Sequence, residues 1–157
     1  PQTDIPVYAA SCLDSKFRKQ LVEQIKEQVG GMSQKDAANA ILRFIQLAFK
    51  YKTDVEQFGY EKAFFVEENF IYPANDCEDR AILFTRIVRD LLGLKCILIY
   101  YPGHLASAVC FNQQVKGDYI SLNGSKFVVC DPTYIGAPVG LTMPNMDNES
   151  ANVIILE

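Results

Sequence analysis

Residues 76–93 read DCEDRAILFTRIVRDLLG, and within them Ala81, Ile82, Leu83, Phe84, Ile87, Val88, Leu91 and Leu92 cover most of a helix's circumference. A helix that is apolar nearly all round has to be enclosed by other elements, so this one is central and the remainder of the fold must be built around it. Gly93 is well placed to terminate it. Directly afterwards LKCILIYY is a continuous apolar, β-branched and aromatic run of strand length, ended by Pro102 and Gly103. HLASAVCF and KFVVCD read as further strands. Asn123-Gly124 is a two-residue turn signal before the second of these, and Asp131-Pro132 closes it. NVIILE at the end is another strand candidate.

Ahead of the central helix, residues 14–29 carry Phe17, Leu21, Ile25 and Val29 at four-residue steps, the stripe of an amphipathic helix capped by Asp14 or Ser15 and stopped by Gly30-Gly31. Ser33 and Asp36 form a capping-box pattern before a second helix, whose Ile41, Phe44, Ile45 and Ala48 give its apolar face and which is expected to end near Tyr51. Residues 52–75 have no sustained period and read as a long loop with one short helical turn around residues 61–65. Loops of that length inside a compact domain are uncommon and often functional. Helices followed by strands joined through tight turns predict an α+β fold, an antiparallel sheet packed against helices. The 157 residues fit a single domain over 1–157, which is compatible with excision from a larger protein.

Composition removes several kinds of function. A net charge of −4 leaves no basic surface for neutralising phosphates, so nucleic acid is not an expected partner. No apolar run approaches the length of a membrane span, so direct membrane insertion is not expected. Five cysteines (Cys12, Cys77, Cys96, Cys110, Cys130) without a C-x-x-C pair do not suggest a disulfide framework, and one histidine leaves little for a zinc site.

Three residues stand out by position. Cys77 leads the central helix, His104 follows a turn and opens a strand, and Asp131 ends a strand just before a proline. Element ends converge on the rim of a fold, where side chains meet without breaking a core. A free thiol titrates near 8.5, and a helix N-terminus together with a neighbouring imidazolium can lower that to roughly 3.5–7.5. Asp131 would fix the imidazole tautomer and steady its charged form. If the strands holding His104 and Asp131 are antiparallel neighbours paired 104 with 131, Phe111 faces Gly124, and residues 113–122 must be an excursion or an outer strand.

DCEDRAILFTRIVRDLLGLKCILIYY, then GHLASAVCF, then KFVVCDPTY resemble, in that order, the core of the transglutaminase-like superfamily. In that superfamily a helix-leading Cys, a strand-opening His and a strand-ending Asp make a papain-type triad. The DCED stretch is most similar to bacterial transglutaminase-like cysteine peptidases, extracytoplasmic proteins of which some hold calcium between the acids flanking the cysteine. The resemblance implies a papain/transglutaminase-like core with Cys77 as nucleophile, His104 as general base and acid, and Asp131 as orienter. It also implies Asp76 and Glu78 as the acids able to hold calcium where it is used, an extracytoplasmic location, and a protein or peptide substrate, with no cofactor required. One departure concerns the upstream Trp that many transglutaminases use for the oxyanion: this chain contains none. Gln57, or a tyrosine such as Tyr60, would take that part beside the Cys77 backbone N–H.

Each residue alone has an ordinary explanation. Cys96, Cys110 and Cys130, on apolar strands, read as small core residues, and the acids at 76, 78 and 79 read first as a helix-capping cluster. It is the three positions together that favour an acyl-transfer enzyme, a peptidase or amidase working through a thioester. Transamidation would use the same intermediate, and a catalytically silent peptide-binding module of the same fold is the alternative of another class.

Overall fold

The computed structural model describes residues 23–48, 50–51, 74–75 and 77–156. Among these are three helices, α1 (residues 23–29), α2 (Gln34–Ala48) and α3 (Cys77–Leu92), and a parallel pair β1 (Lys50–Tyr51) and β2 (Ala74–Asn75). A five-stranded antiparallel sheet follows, made of β3 (Lys95–Tyr101), β4 (His104–Cys110), β5 (Tyr119–Leu122), β6 (Ser125–Cys130) and β7 (Asn152–Ile155). Their order across the sheet is β5-β6-β4-β3-β7. The fold is α+β.

The expected central helix is central. Every residue of α3 from Asp79 to Val88 is buried, and its apolar members pack with Leu98, Leu105, Val109 and Val128 on one face of the sheet and with α2 on the other side. Burying a Leu, Ile or Phe side chain contributes about 1.5–3 kcal/mol. Leu83, Phe84 and Ile82 therefore hold the helix, and with it the position of its first residue, firmly against β4. The opposite sheet face carries Ile97, Ile99, Tyr101, Ala106, Ala108, Phe127 and Val129, covered by Met146 and Ala151 from the segment that leads into β7.

Helix α2 starts as its capping pattern predicts, with the Asp36 N–H donating to Ser33 Oγ at 3.2 Å. It ends at Ala48 rather than near Tyr51, because Lys50 and Tyr51 are drawn into parallel pairing with Ala74 and Asn75. Its buried stripe is Ala37, Ala38, Ile41, Leu42 and Ile45, joined by the polar Gln46. Phe44 is 37% exposed and lies off this stripe, since consecutive side chains diverge by about 100° and Ile45 takes the central direction. The expected residues Phe17 and Leu21, both proposed caps of the first helix, and the turn around 61–65 lie outside the described residues.

β4 and β6 are direct neighbours, and β5 is the outer strand on the far side of β6. Their register differs from the expected one by two residues: Ser107 pairs with Cys130, Ala108 with Val129 and Val109 with Val128. One further step places Asp131 across from Ala106, so His104 and Asp131 are diagonal rather than opposite. An even offset leaves every side chain on its expected face, whereas an odd one would have sent Asp131 to the other side of the sheet.

After Asp131 the chain loops out and returns to touch β6. The Val129 N–H donates to Asp118 O at 2.9 Å, the Gly140 N–H to Val129 O at 2.7 Å, and the Asp118 N–H to Gly140 O at 2.8 Å. Two glycines permit this crossing. A Cβ on Gly117 would stand 2.5 Å from the Gly140 Cα, one on Gly140 would stand 2.9 Å from the Gly117 Cα, and both residues have positive φ.

Candidate active site

His104 and Asp131 meet. His104 Nε2 lies 2.6 Å from Asp131 Oδ2, with the histidine 7% and the aspartate 1% exposed. Facing a carboxylate, Nε2 carries the proton and donates it, which leaves Nδ1 as the nitrogen turned to a second partner. Cys77, the first residue of α3, lies near enough for its thiol to favour the protonated imidazole. His104 is therefore bonded to Asp131 and has Cys77 nearby, the three positions that stand out in the sequence.

Burial is the largest influence on this imidazole and pulls its pKa down. The hydrogen bond to Asp131 and the nearness of the Cys77 thiol, together with their charges, outweigh it and push His104 up from 6.5 to about 9. The balance favours the charged ring over the neutral one.

The surroundings explain why the carboxylate can stay in place. Asp131 Oδ1 accepts the N–H groups of Thr133 at 3.0 Å and Tyr134 at 3.2 Å, an Asx-type turn that leaves Oδ2 for the histidine. Tyr101, directly across the hairpin from His104, stacks on the ring with centroids 6.0 Å apart and planes 18° from parallel. Its hydroxyl donates to Asn148 Oδ1, and Asn148 Nδ2 donates to Thr142 Oγ1 at 2.9 Å. The Gln46 side chain reaches from α2 to the backbone of the loop after Asp131.

Sequence reasoning missed Tyr101, Asn148 and Gln46. A signal existed for the last, a polar residue placed four positions after Leu42 on an otherwise apolar stripe. Tyr101 was readable only as strand, because its partner across the turn depends on register.

The other cysteines differ from Cys77. Cys96 and Cys130 are buried, and burial foremost pushes Cys96 up to about 12 and Cys130 well above the usual thiol range. Cys110 is half-buried rather than a full core residue, at the end of β4 where the sheet opens. All four described cysteines are free thiols.

Glu78 is in the first turn of α3. Asp79, expected as part of a helix-capping cluster, is completely buried with Arg80, and both are engaged by partners. Asp76, Gln57 and Tyr60 lie outside the described residues, as does Cys12. Among the described residues no three His, Cys, Asp or Glu side chains gather as a metal ion would require, so that part of the chain does not by itself fit calcium. No described helix is long and apolar enough to cross a membrane.

No family profile and no curated protein matches the chain by sequence. Solved structures do match in shape. Legionella pneumophila LapG superposes with a TM-score of 0.55 at 13% identity, over 99% of this chain and 89% of that one. EGTA-treated LapG gives 0.57 at 13% identity over 99% and 87%, and the calcium-bound form is similar too. A proposed cysteine protease from Cytophaga hutchinsonii gives 0.50 at 15% identity, over 98% of this chain and 55% of that one. At such identities the likeness concerns shape alone, and it agrees with the layered arrangement of helix, sheet and rim described above. The chain has a transglutaminase-like fold, the fold that LapG also adopts.

Proposed function

We propose that this protein is a cysteine-dependent acyl-transfer enzyme that hydrolyses a peptide or amide bond. The observation that carries the reading is the buried His104 bonded to Asp131, with the Cys77 thiol near enough to favour the ring's protonation. Its cysteine-protease-like structural neighbours support a protein or peptide as substrate.

In this reading the Cys77 sulfur attacks the carbonyl carbon, and the electron pair of the C=O bond moves to oxygen. The Cys77 backbone N–H, at the start of α3, is one donor to that oxyanion, and Gln57 is the candidate for the other. Collapse of the intermediate breaks the C–N bond as the His104 imidazolium gives its proton to the leaving amine, leaving a thioester on Cys77. Neutral His104 then takes a proton from water, which attacks the thioester, and the acid is released with the thiolate and imidazolium restored. Asp131 holds the ring in place and remains a carboxylate throughout.

Limiting iodoacetamide tests the nucleophile. Cys77 is expected to be carboxamidomethylated ahead of the other four cysteines, and His104→Ala is expected to slow that labelling about tenfold or more. Cys96 and Cys130 are held as protonated, buried thiols and should react last. Mass spectrometry of the digest reads the order directly. Equal, slow labelling of all five would favour a silent binding module.

Calcium is proposed only through the pair Asp76 and Glu78, supported by the existence of a calcium-bound form of LapG. Bound calcium would add positive charge beside the helix start, which otherwise carries several acids. The melting temperature is expected to rise in millimolar calcium and fall in chelator, and equal values would remove the ion from the account.

A further inference from the structure

We propose that Gln46 is a positioning residue for the active site, fixing the backbone of Asp131 so that the carboxylate is presented to His104. The inference deepens the reading of Asp131 as orienter and rests on it.

Gln46 lies on the buried face of α2, 4% exposed. Its Nε2 donates to Asp131 O at 3.0 Å and to Ala137 O at 3.0 Å, which uses both amide hydrogens. Its Oε1 accepts the Gly136 N–H at 3.2 Å. One side chain, 85 residues from Asp131 in sequence, therefore ties the two ends of the turn 131–137 to each other and to a helix. The turn's own N–H groups at Thr133 and Tyr134 hold the carboxylate from inside, and Gln46 holds the turn from outside.

The arrangement is more than a generic latch. Asn39, about two helical turns earlier on the same side of α2, accepts the Val139 N–H on its Oδ1 at 2.8 Å. It fastens the same loop to the same helix, yet touches nothing of Asp131. Both contacts should stabilise the protein, but only Gln46 bonds to the residue whose carboxylate faces the imidazole. A charge-assisted hydrogen bond weakens steeply as its geometry opens. Loss of Gln46 should therefore be felt at His104.

The chain's single histidine makes this measurable without any substrate. Its ring signals report the His104 titration by NMR in the intact protein. In Gln46→Met, of similar volume but without the three bonds, the midpoint is expected to fall by about one pH unit toward the free-histidine value. Asn39→Ala should leave it in place even where it lowers the melting temperature comparably. On a cleaved peptide, Gln46→Met should lower kcat about tenfold with KM nearly unchanged.

A folded Gln46→Met protein with the wild-type midpoint overturns the proposal. If that variant does not fold, Gln46→Asn, polar but too short to span both carbonyls, is read the same way, a lowered midpoint supporting and an unmoved one overturning. Asp131→Asn separates the two levels of inference. If it lowers the midpoint while the Gln46 variants do not, Gln46 is structural only and the Asp131 reading stands. If Asp131→Asn leaves the midpoint at the wild-type value, the reading of Asp131 itself fails.

Discussion

Exchange of Cys77 for serine is expected to lower kcat/KM for any peptide the protein cleaves by at least about 10³-fold, equivalent to about 4 kcal/mol of transition-state stabilisation. The change replaces one atom at the first position of α3 and leaves the core intact, since the anchoring burial begins at Asp79. Folding should therefore be unaltered, and circular dichroism and melting temperature should match the wild type closely. What changes is the ease of ionisation. An imidazolium can stabilise a thiolate, but an alcohol is too weak an acid to be held as its anion by that partner. Steady-state assays of purified protein on a fluorogenic peptide would read the loss. A serine variant retaining a tenth or more of the activity would mean that cleavage does not pass through this sulfur.

Replacing Asp131 by asparagine should remove the strongest support of the imidazolium while keeping the volume of the side chain. His104 is then expected to titrate well below 9, toward 6.5, because burial continues to oppose its charge after the carboxylate has gone. Activity should fall about 10²–10⁴-fold as the ring loses both its tautomer and its charge. Stability should change its pH dependence as well. In the wild type the folded protein keeps the His104 proton between pH 6.5 and about 9, where the unfolded chain has released it. The resulting stabilisation is complete below 6.5 and lost as pH rises through 9, with a slope of at most about 1.4 kcal/mol per pH unit. Denaturant melts at pH 6, 7.5 and 9.5 should show that decline in the wild type and lack it in the variant. Identical slopes would show that the carboxylate and the imidazole are not energetically coupled.

The strong patterns in the sequence are those with one solution. An all-apolar helix can only be interior, and Asn123-Gly124 admits a tight hairpin, so α3 and the β5–β6 connection were legible from residues alone. The face of the sheet on which Asp131 sits was legible for the same reason, since alternation fixes it. Register was not. Pairing 104 with 131 and pairing 107 with 130 satisfy the same alternation, and the choice between them rests on contacts that form only once the two strands meet, such as the Ser107 hydroxyl donating to Cys130 O at 2.6 Å. The same holds for the site. Cys77, His104 and Asp131 stood out by lying at element ends, whereas the contacts of Gln46, Tyr101 and Asn148 exist only after the layers are assembled. The burial of Asp79 was not legible either, since a capping acid and an enclosed one look alike in sequence.

The loop carrying the Asp131 carboxylate is stitched shut at its base, where Gly140 bonds to Val129, before any ligand arrives. Folding alone thus meets the entropic cost of aiming that group, and docking a substrate has none of it left to meet. Selection on substrate preference is accordingly free to rework other parts of the rim, while the ring of backbone between 129 and 140 can stay as rigid as a machined jig.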